Sequence, residues 1–406
     1  MSVELNILTL NIWGIPYISD DRETRINSIS SELATGKYDI VSLQEVWSQN
    51  DYNSIKQNLE TVLPFSHYFY SGVMGAGLCV LSKYPIIGAL FHAWSVNGYF
   101  HRIQHADWFG GKGVGLCKIL VNGHLIHFYN AHLHAEYDVE NDEYKTHRVI
   151  QAFDTAQFIE ETRGNSILQI LAGDLNTQPQ DISYKVLLYT SKMIDSCPDE
   201  NIGTNECHHN SYTSKKLSEK NPNGIRIDHI FIRSAESYDA HIAKYSLPLP
   251  ERIPGMKISY SDHEAVMTKL KLTSKQCSSD KLVDDKNEFC EKQSSLEESE
   301  LKTIEVLQEC VHLCETSLHK LKTDRILYFS IAIFVTFLLL ALVDYSVPIG
   351  FKTLYLLLKF ILFGIILFAL FMGSLWNYIE QNGILSGKTS MEIKLRRLGE
   401  LELELH

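Results

Sequence analysis

The stretch "SILQILAGDLNTQP", residues 166–179, decides how this chain is read. Its first half is a short, almost wholly apolar run, the pattern of a buried strand. Its second half changes character. Asp174 and Asn176 flank a leucine, and Thr-Gln-Pro then stops the strand. An Asp-x-Asn pair behind a strand usually closes an Asx turn, because the short polar side chain bonds the backbone two residues on. The same pair also projects two polar groups from the end of a sheet. The stretch alone allows both readings, and the remaining strands decide between them.

The pattern recurs along residues 1–273. "ELNILTLNIW" (4–13) alternates as a strand and carries Asn11 near its end. "YDIVSLQEVW" (38–47) is a buried strand that runs into Glu45. "GHLIHFYNAHLH" (123–134) brings His132, and "HEAVMTKLKL" (263–272) follows Asp262 and opens on His263. "IRIDHIFIR" (225–233) carries Asp228, expected in mid-strand. "GLCVLSKYPI" (77–86) is a further strand, and "RETRINSISSELATG" (22–36) and "YKTHRVIQAFDTAQFIEETRG" (144–164) are helices. Strands and helices mixed in this way predict an α+β domain. Singly, each polar residue is unremarkable. A glutamate at a strand end is normally solvated, and an asparagine there normally caps a turn.

As an ordered set they are specific. "LTLNIWG", "SLQEVW", "LSKYPI", "NAHLH", "LAGDLNTQP", "RIDHIF" and "YSDHEAV" together resemble the superfamily of Mg²⁺-dependent phosphodiesterases that includes deoxyribonuclease I, apurinic endonucleases, inositol-phosphate 5-phosphatases and sphingomyelinases. The resemblance covers about residues 3–272 and implies a four-layer α/β/β/α sandwich. Within the superfamily, "NIWGIPY", "HADWFGGKGVG" and "NAHLHAEYDVENDEYKTHR", with an apolar C-terminal hairpin, are similar to the two-span neutral sphingomyelinases that have an N-terminal catalytic domain. That family hydrolyses sphingomyelin to ceramide and phosphocholine, using Mg²⁺ or Mn²⁺.

The chemistry accounts for the residue types. A phosphodiester is anionic and repels a nucleophile, so a hard cation on oxygen ligands is needed to neutralise it. The resemblance assigns Glu45 and Asn11 to the metal, with Asp262 as a further ligand or support. An attacking water needs a base. His263 is the candidate, and the resemblance puts Asp228 in the role of holding its tautomer. Asp174 and Asn176 orient water and phosphoryl oxygens, and His132 is a donor to the phosphoryl group or the acid for the leaving group. Asp107 and Lys112, in the Gly-rich loop, form a regulatory pair by resemblance. As a bare ion pair on the surface they would be worth at most about 1 kcal/mol. His147 is a supporting site residue by resemblance, or otherwise a surface histidine at a helix start.

The histidines His132 and His134 share a strand face, as two ligands of a zinc site would. They lack a complementary second pair. Cys207, His208 and His209 are the nearby candidates by composition, and a solvated polar loop is the plainer reading of those three. The metal is therefore expected on oxygen, at Glu45.

The C-terminal third differs in composition. Residues 274–300 are polar and predict a linker. Residues 301–324 show apolar steps of three and four, a juxtamembrane helix that pairs with another helix or lies on a membrane surface. Residues 326–343 carry no charge, and residues 353–376 carry only Lys359. At 1.5 Å per residue they reach roughly 27–36 Å, a bilayer core. Basic residues flank both spans, so a hairpin with cytosolic ends, a cytosolic tail at 377–406 and a cytosolic N-terminal domain is expected, on the endoplasmic reticulum or another cell membrane. The N-terminus lacks a signal-peptide pattern, and eight scattered cysteines suit reduced thiols.

A net charge of -12 opposes a protein that wraps nucleic acid. The membrane hairpin also opposes nucleic-acid cleavage, and the full set of acid, base and metal residues opposes an inactive scaffold. Lyso-phosphocholine lipids, such as lyso-platelet-activating factor, remain the alternative substrate to sphingomyelin.

Overall fold

The computed structural model describes residues 2–105, 107–199, 201–275, 285–345 and 347–405, with side chains outside 285–297 and 401–405. Its chain divides into two units, Met1–Val306 and Leu307–His406.

The first unit contains twelve strands among the described residues: β1 (Ser2–Asn11), β2 (Ile40–Gln44), β3 (Phe65–Phe69), β4 (Leu78–Ser82), β5 (Ile86–Ala93), β6 (Gly113–Val121), β7 (His124–His132), β8 (Leu168–Asp174), β9 (Ile194–Asp195), β10 (Asp228–Ser234), β11 (Tyr238–Ser246) and β12 (Val266–Ser274). They form two six-stranded sheets, ordered β11-β12-β1-β2-β4-β3 and β5-β6-β7-β8-β10-β9. Only β1/β2 and β7/β8 pair in parallel; the other pairs are antiparallel. The sheets face each other across a core that includes Val3, Leu5, Ile7, Val80, Phe128 and Ile170.

Two faces remain, and helices cover them. Helix α1 (Arg22–Leu33) and α2 (Gln49–Asn58) pack Ile26, Ile29 and Ile55 on Leu8, Leu10, Val41 and Leu43 of the first sheet. A short α3 (Asp107–Gly110) precedes β6. Helix α4 (Lys145–Glu161) packs with α5 (Ile182–Ser191). A six-residue α6 (Lys215–Lys220) lies before β10. This is the four-layer sandwich that the resemblance implied. The strands at 65–69, 86–93, 113–121 and 238–246, and helices α2 and α5, were not foreseen.

In the second region, α7 (Asp285–Ala341) is one continuous helix. The stretch expected as a linker is therefore helical from Asp285, and residues 276–284 lie outside the described residues. Polar composition alone does not separate a helix from a coil. Helix α8 (Lys352–Phe371) continues through a π-helical segment, Met372–Trp376, into α9 (Asn377–Leu405). Two helical stretches, Glu298–Ala341 and Ile349–Glu400, are long and apolar enough to cross a membrane. Within their most apolar windows only 11% and 17% of residues are buried, so neither is the core helix of a soluble domain.

The polar flanks of these spans meet. Leu307, Cys310 and Cys314 of α7 and Ile384 and Met391 of α9 are buried. Lys388 lies 3.4 Å from Glu315, and the Asn377 amide donates to the Leu321 carbonyl at 2.9 Å. The helix partner of the amphipathic stretch is thus α9 of the same chain.

Candidate active site

Strand parity builds the site. Side chains two apart share a face of a sheet. Val3, Leu5 and Ile7 face the core between the sheets, so Asn11 does too. Ile126 and Phe128 set the same face for His132, and Leu168, Ile170 and Ala172 set it for Asp174. Ile230 and Ile232 set it for Asp228. All four polar groups are buried. The ends coincide because β1 runs with β2, β7 runs with β8, and β10 runs against β8. Asp228 is accordingly the first residue of its strand, opposite Asp174, and not in mid-strand as expected. An antiparallel neighbour must begin where β8 ends if its polar group is to join the same cluster.

A polar layer lies beneath. Gln44 donates to Asn130 Oδ1 at 2.9 Å, and Asn130 donates to the carbonyls of Leu43 and Cys79 at 3.1 and 3.0 Å. Ser42 donates to the Ala172 carbonyl at 3.3 Å. These bonds tie the two sheets together under the site. Their only sequence signal was polar residues on the core parity of apolar strands.

One wall carries the basic imidazole. His263 Nδ1 lies 2.8 Å from Asp228 Oδ2, and Nε2 lies 3.8 Å from Asp174 Oδ2. Burial alone would lower its pKa, but Asp228 and Asp174 outweigh it and hold the pKa well above the usual histidine range. Ser261 fixes the segment by donating to the Asn11 carbonyl at 2.7 Å and accepting from the His263 N–H at 3.3 Å. Asp174 is raised to about 6, chiefly by burial, against the opposing pull of His263.

Between the walls, the Asn11 amide donates to both Glu45 Oε1 and Asp174 Oδ2 at 2.9 Å, while its oxygen accepts from the Trp13 N–H. Glu45 follows β2 with φ +59°. Its Oε2 is buried with no hydrogen-bond partner among the described residues. Burial, followed by the charge of Asp262, raises its pKa to about 7. A buried carboxylate oxygen without a donor, beside further carboxylates, fits a hard divalent cation. Donor atoms of Asp174, Asp228 and His263 also lie within 4.8 Å of one another. Asn176 both makes the Asx turn (its N–H donates to Asp174 Oδ1 at 3.0 Å) and spends its amide on the Leu133 carbonyl at 3.0 Å.

The opposite wall carries the lysine. Lys112 pairs with Asp107, with both side chains almost fully buried, so the surface-pair reading is wrong. The Gly-rich loop folds inward, and Lys112 also donates to the Leu133 carbonyl at 3.2 Å and lies 3.4 Å from His132 Nε2. Burial, then Lys112, pushes the His132 pKa well below 6.5. Burial would raise Asp107, but Lys112 and His134 hold it below the usual carboxylate range. Tyr137 donates to Asp107 at 2.7 Å, and His134 Nε2 lies 3.6 Å from the same carboxylate. Tyr137 was missed, because a tyrosine in an acidic turn has no distinctive pattern. His147 is buried, not at the surface; its Nδ1 accepts from the Gly98 N–H at 3.0 Å. Thr146, Arg148, Val149 and Ile150, beside it at the start of α4, are buried as well.

A cavity of about 950 Å³ opens over this floor. Glu45, Asp107, Lys112 and His132 lie along it, with Tyr17, Trp47, Tyr70 and Tyr137 on its sides.

Residues 8–263 match the Endonuclease/Exonuclease/phosphatase family. The chain also resembles the solved structure entitled "Crystal Structure of SmcL", with TM-score 0.51 and 19% identity over 67% of this chain and 99% of that one, a likeness of fold. The chain therefore belongs to the Endonuclease/Exonuclease/phosphatase family of hydrolases. Its sequence is 61% identical to a Drosophila melanogaster protein named "Putative neutral sphingomyelinase", over 98% of this chain and 99% of that protein. It is 36% identical to "Sphingomyelin phosphodiesterase 2" of Mus musculus, over 66% of this chain and 65% of that protein. Within the larger family its place is among the neutral sphingomyelinases.

Proposed function

We propose that this chain is a divalent-cation-dependent sphingomyelin phosphodiesterase of the phospholipase C type, held on its substrate membrane by the C-terminal hairpin. The observation that carries the reading is the Asp228–His263 hydrogen bond, with Nε2 turned toward Asp174, beside the donorless oxygen of Glu45. In its neutral form His263 Nε2 takes a proton from water as the water oxygen attacks phosphorus, and Asp228 stabilises the imidazolium that forms. Because the carboxylates hold its pKa high, turnover should rise with pH as the ring is deprotonated. The bond from phosphorus to the ceramide oxygen breaks, that oxygen takes a proton from solvent water while His263 returns its own proton to solvent, and phosphocholine and ceramide leave. Asp174 and Asn176 orient the water and the phosphoryl oxygens. His132 stays neutral beside Lys112, which suits a hydrogen-bond donor to phosphoryl oxygen better than an acid.

Glu45, with Asn11 and Asp262, would hold Mg²⁺ or Mn²⁺, which would supply Lewis-acid neutralisation of the phosphate. For Asn11 this means turning its amide oxygen inward from the Trp13 N–H. The choline group suits the aromatic sides of the cavity by cation–π attraction. Two spans flanked by basic residues support a cytosolic catalytic unit and cytosolic termini, and membrane tethering raises the local substrate concentration.

The test is release of phosphocholine from sphingomyelin in mixed micelles by the purified full-length protein, with Mg²⁺ and with chelator. Turnover that needs Mg²⁺ and vanishes in His263→Ala is expected. Faster turnover of a lyso-phosphocholine ether lipid in the same micelles would reassign the substrate, and full activity of His263→Ala would overturn the mechanism.

A further inference from the structure

A second cluster of metal-ligating groups lies outside the proposed catalytic set. Donor atoms of Cys207, His209 and Glu264 lie within 4.8 Å of one another. The His209 Nε2 to Glu264 Oε1 distance is 3.3 Å. Two ligands bound tetrahedrally at about 2.0 Å from one ion are separated by about this distance. We infer that Cys207, His209 and Glu264 form a second cation site, selective for a thiophilic divalent ion such as zinc, on the loop that braces His263.

The donor set differs in kind from the catalytic one. Thiolate, imidazole and one carboxylate suit zinc, whereas the Glu45 site offers oxygen and suits a harder ion. The Glu264 carboxylate is already oriented: the Asn210 amide donates to Oε1 at 3.0 Å and to the Ser261 carbonyl at 2.9 Å. Such outer hydrogen bonds hold a ligand in position for its metal. Cys207 and Glu264 are buried while His209 is part-exposed, so an ion can enter from the His209 side and keep a water as fourth ligand.

The site would also act on the catalytic wall. Glu264 follows His263 in the chain, and its N–H donates to the Thr204 carbonyl at 2.6 Å. Thr204 Oγ1 in turn accepts from the N–H groups of Ile227 and Asp228, both at 3.1 Å. An ion on Cys207, His209 and Glu264 therefore ties the 204–210 loop to the segment that carries His263, and adds stability by binding only the folded chain.

The experiment uses reduced, full-length protein in detergent, stripped with chelator and then kept in excess Mg²⁺. Titration with Co²⁺ is expected to give a cobalt–thiolate charge-transfer band that saturates at one ion per chain and is displaced by Zn²⁺. Zinc is expected to raise the thermal unfolding midpoint. His209→Ala, at a part-exposed position, and Cys207→Ser should each lose the band and the zinc-induced shift, while Glu45→Gln should keep both. Absence of the band in the unmodified protein overturns the proposal. So does a band that persists in both ligand variants, or one lost in Glu45→Gln. A Cys207→Ser chain that does not fold leaves His209→Ala to decide.

Discussion

The two walls of the candidate site use the same parts and reach opposite results. Each places an imidazole against buried carboxylate. Asp174 Oδ2 lies between the rings, 3.4 Å from His132 Nε2 and 3.8 Å from His263 Nε2. On one wall only, Asp228 adds a bond of 2.8 Å to His263, whose pKa is held high. On the other, Lys112 occupies Asp107 and lies against His132, whose pKa is driven low. Burial acts alike on both rings, favouring the neutral form. The sign is set by which charge each ring meets. A histidine among carboxylates can take a proton; one beside a lysine keeps a neutral ring that donates hydrogen bonds. The likeness of "NAHLH" and "YSDHEAV" as strand-end histidines gave no hint of this division.

Several changes would break or sharpen the comparison. The largest effect is expected for His263→Ala, which should lower sphingomyelin turnover roughly 10²–10⁴-fold by losing the base. Phosphocholine release is the measurement, and circular dichroism checks that the fold persists. Asp228→Asn removes the foremost of the three carboxylate charges, Asp228, Asp174 and Asp262, that raise the His263 pKa. The rate should fall, and the acidic limb of the pH–rate profile, where the base becomes protonated, should move to lower pH. An unmoved limb would mean that another group titrates there.

On the lysine wall, Lys112→Met leaves Asp107 buried without its cation and should cost roughly 3–5 kcal/mol in chemical denaturation. Much of that loss should return in the double change with Asp107→Asn, which removes the stranded charge. Because Asp107 is depressed in the fold, the stability it contributes is present above its unfolded pKa of about 4 and is lost as pH falls below that value.

Asp154 on α4 isolates burial from charge. Its pKa is raised to about 7 by burial, with only a weak opposing backbone bond from Ser95. A raised carboxyl favours folding when protonated, so its contribution is present below about pH 4 and is lost as pH rises through about 7. Asp154→Asn should therefore stabilise the protein by roughly 1–3 kcal/mol at pH 8 and leave it little changed near pH 4. Equal gains at both pH values would contradict this account. The smallest effect is expected at the exposed Lys269–Glu4 pair, 3.1 Å apart, where Lys269→Ala should shift stability by less than about 0.5 kcal/mol.

Much of this molecule follows from local sequence. Alternation located β1, strand-like apolar stretches located β7 and β8, and the polar residue at the end of each fell on the core parity. Two long apolar runs, one uncharged and one with Lys359 alone, defined the apolar helices of the C-terminal third. The ordered motifs pointed to the family, because residue order survives without knowledge of contacts. Other features needed the fold. The strand at 238–246 is half-exposed at a sheet edge, and its mixed residues carry no clean alternation. Burial of Asp107, Lys112 and His147 depends on a loop and a helix turning inward, which spacing does not encode.

By itself the sequence determined most of the chemical groups that stand at strand ends, Asp228 excepted, since side-chain alternation is a property of each strand alone. Only the tertiary structure decided which groups meet. Asp228 reaches His263 and Lys112 reaches His132 through antiparallel register and loop closure, across 35 and 20 positions of chain. Proton affinity then follows from those meetings, because a buried imidazole responds to charges a few ångströms away and hardly at all to its neighbours in sequence.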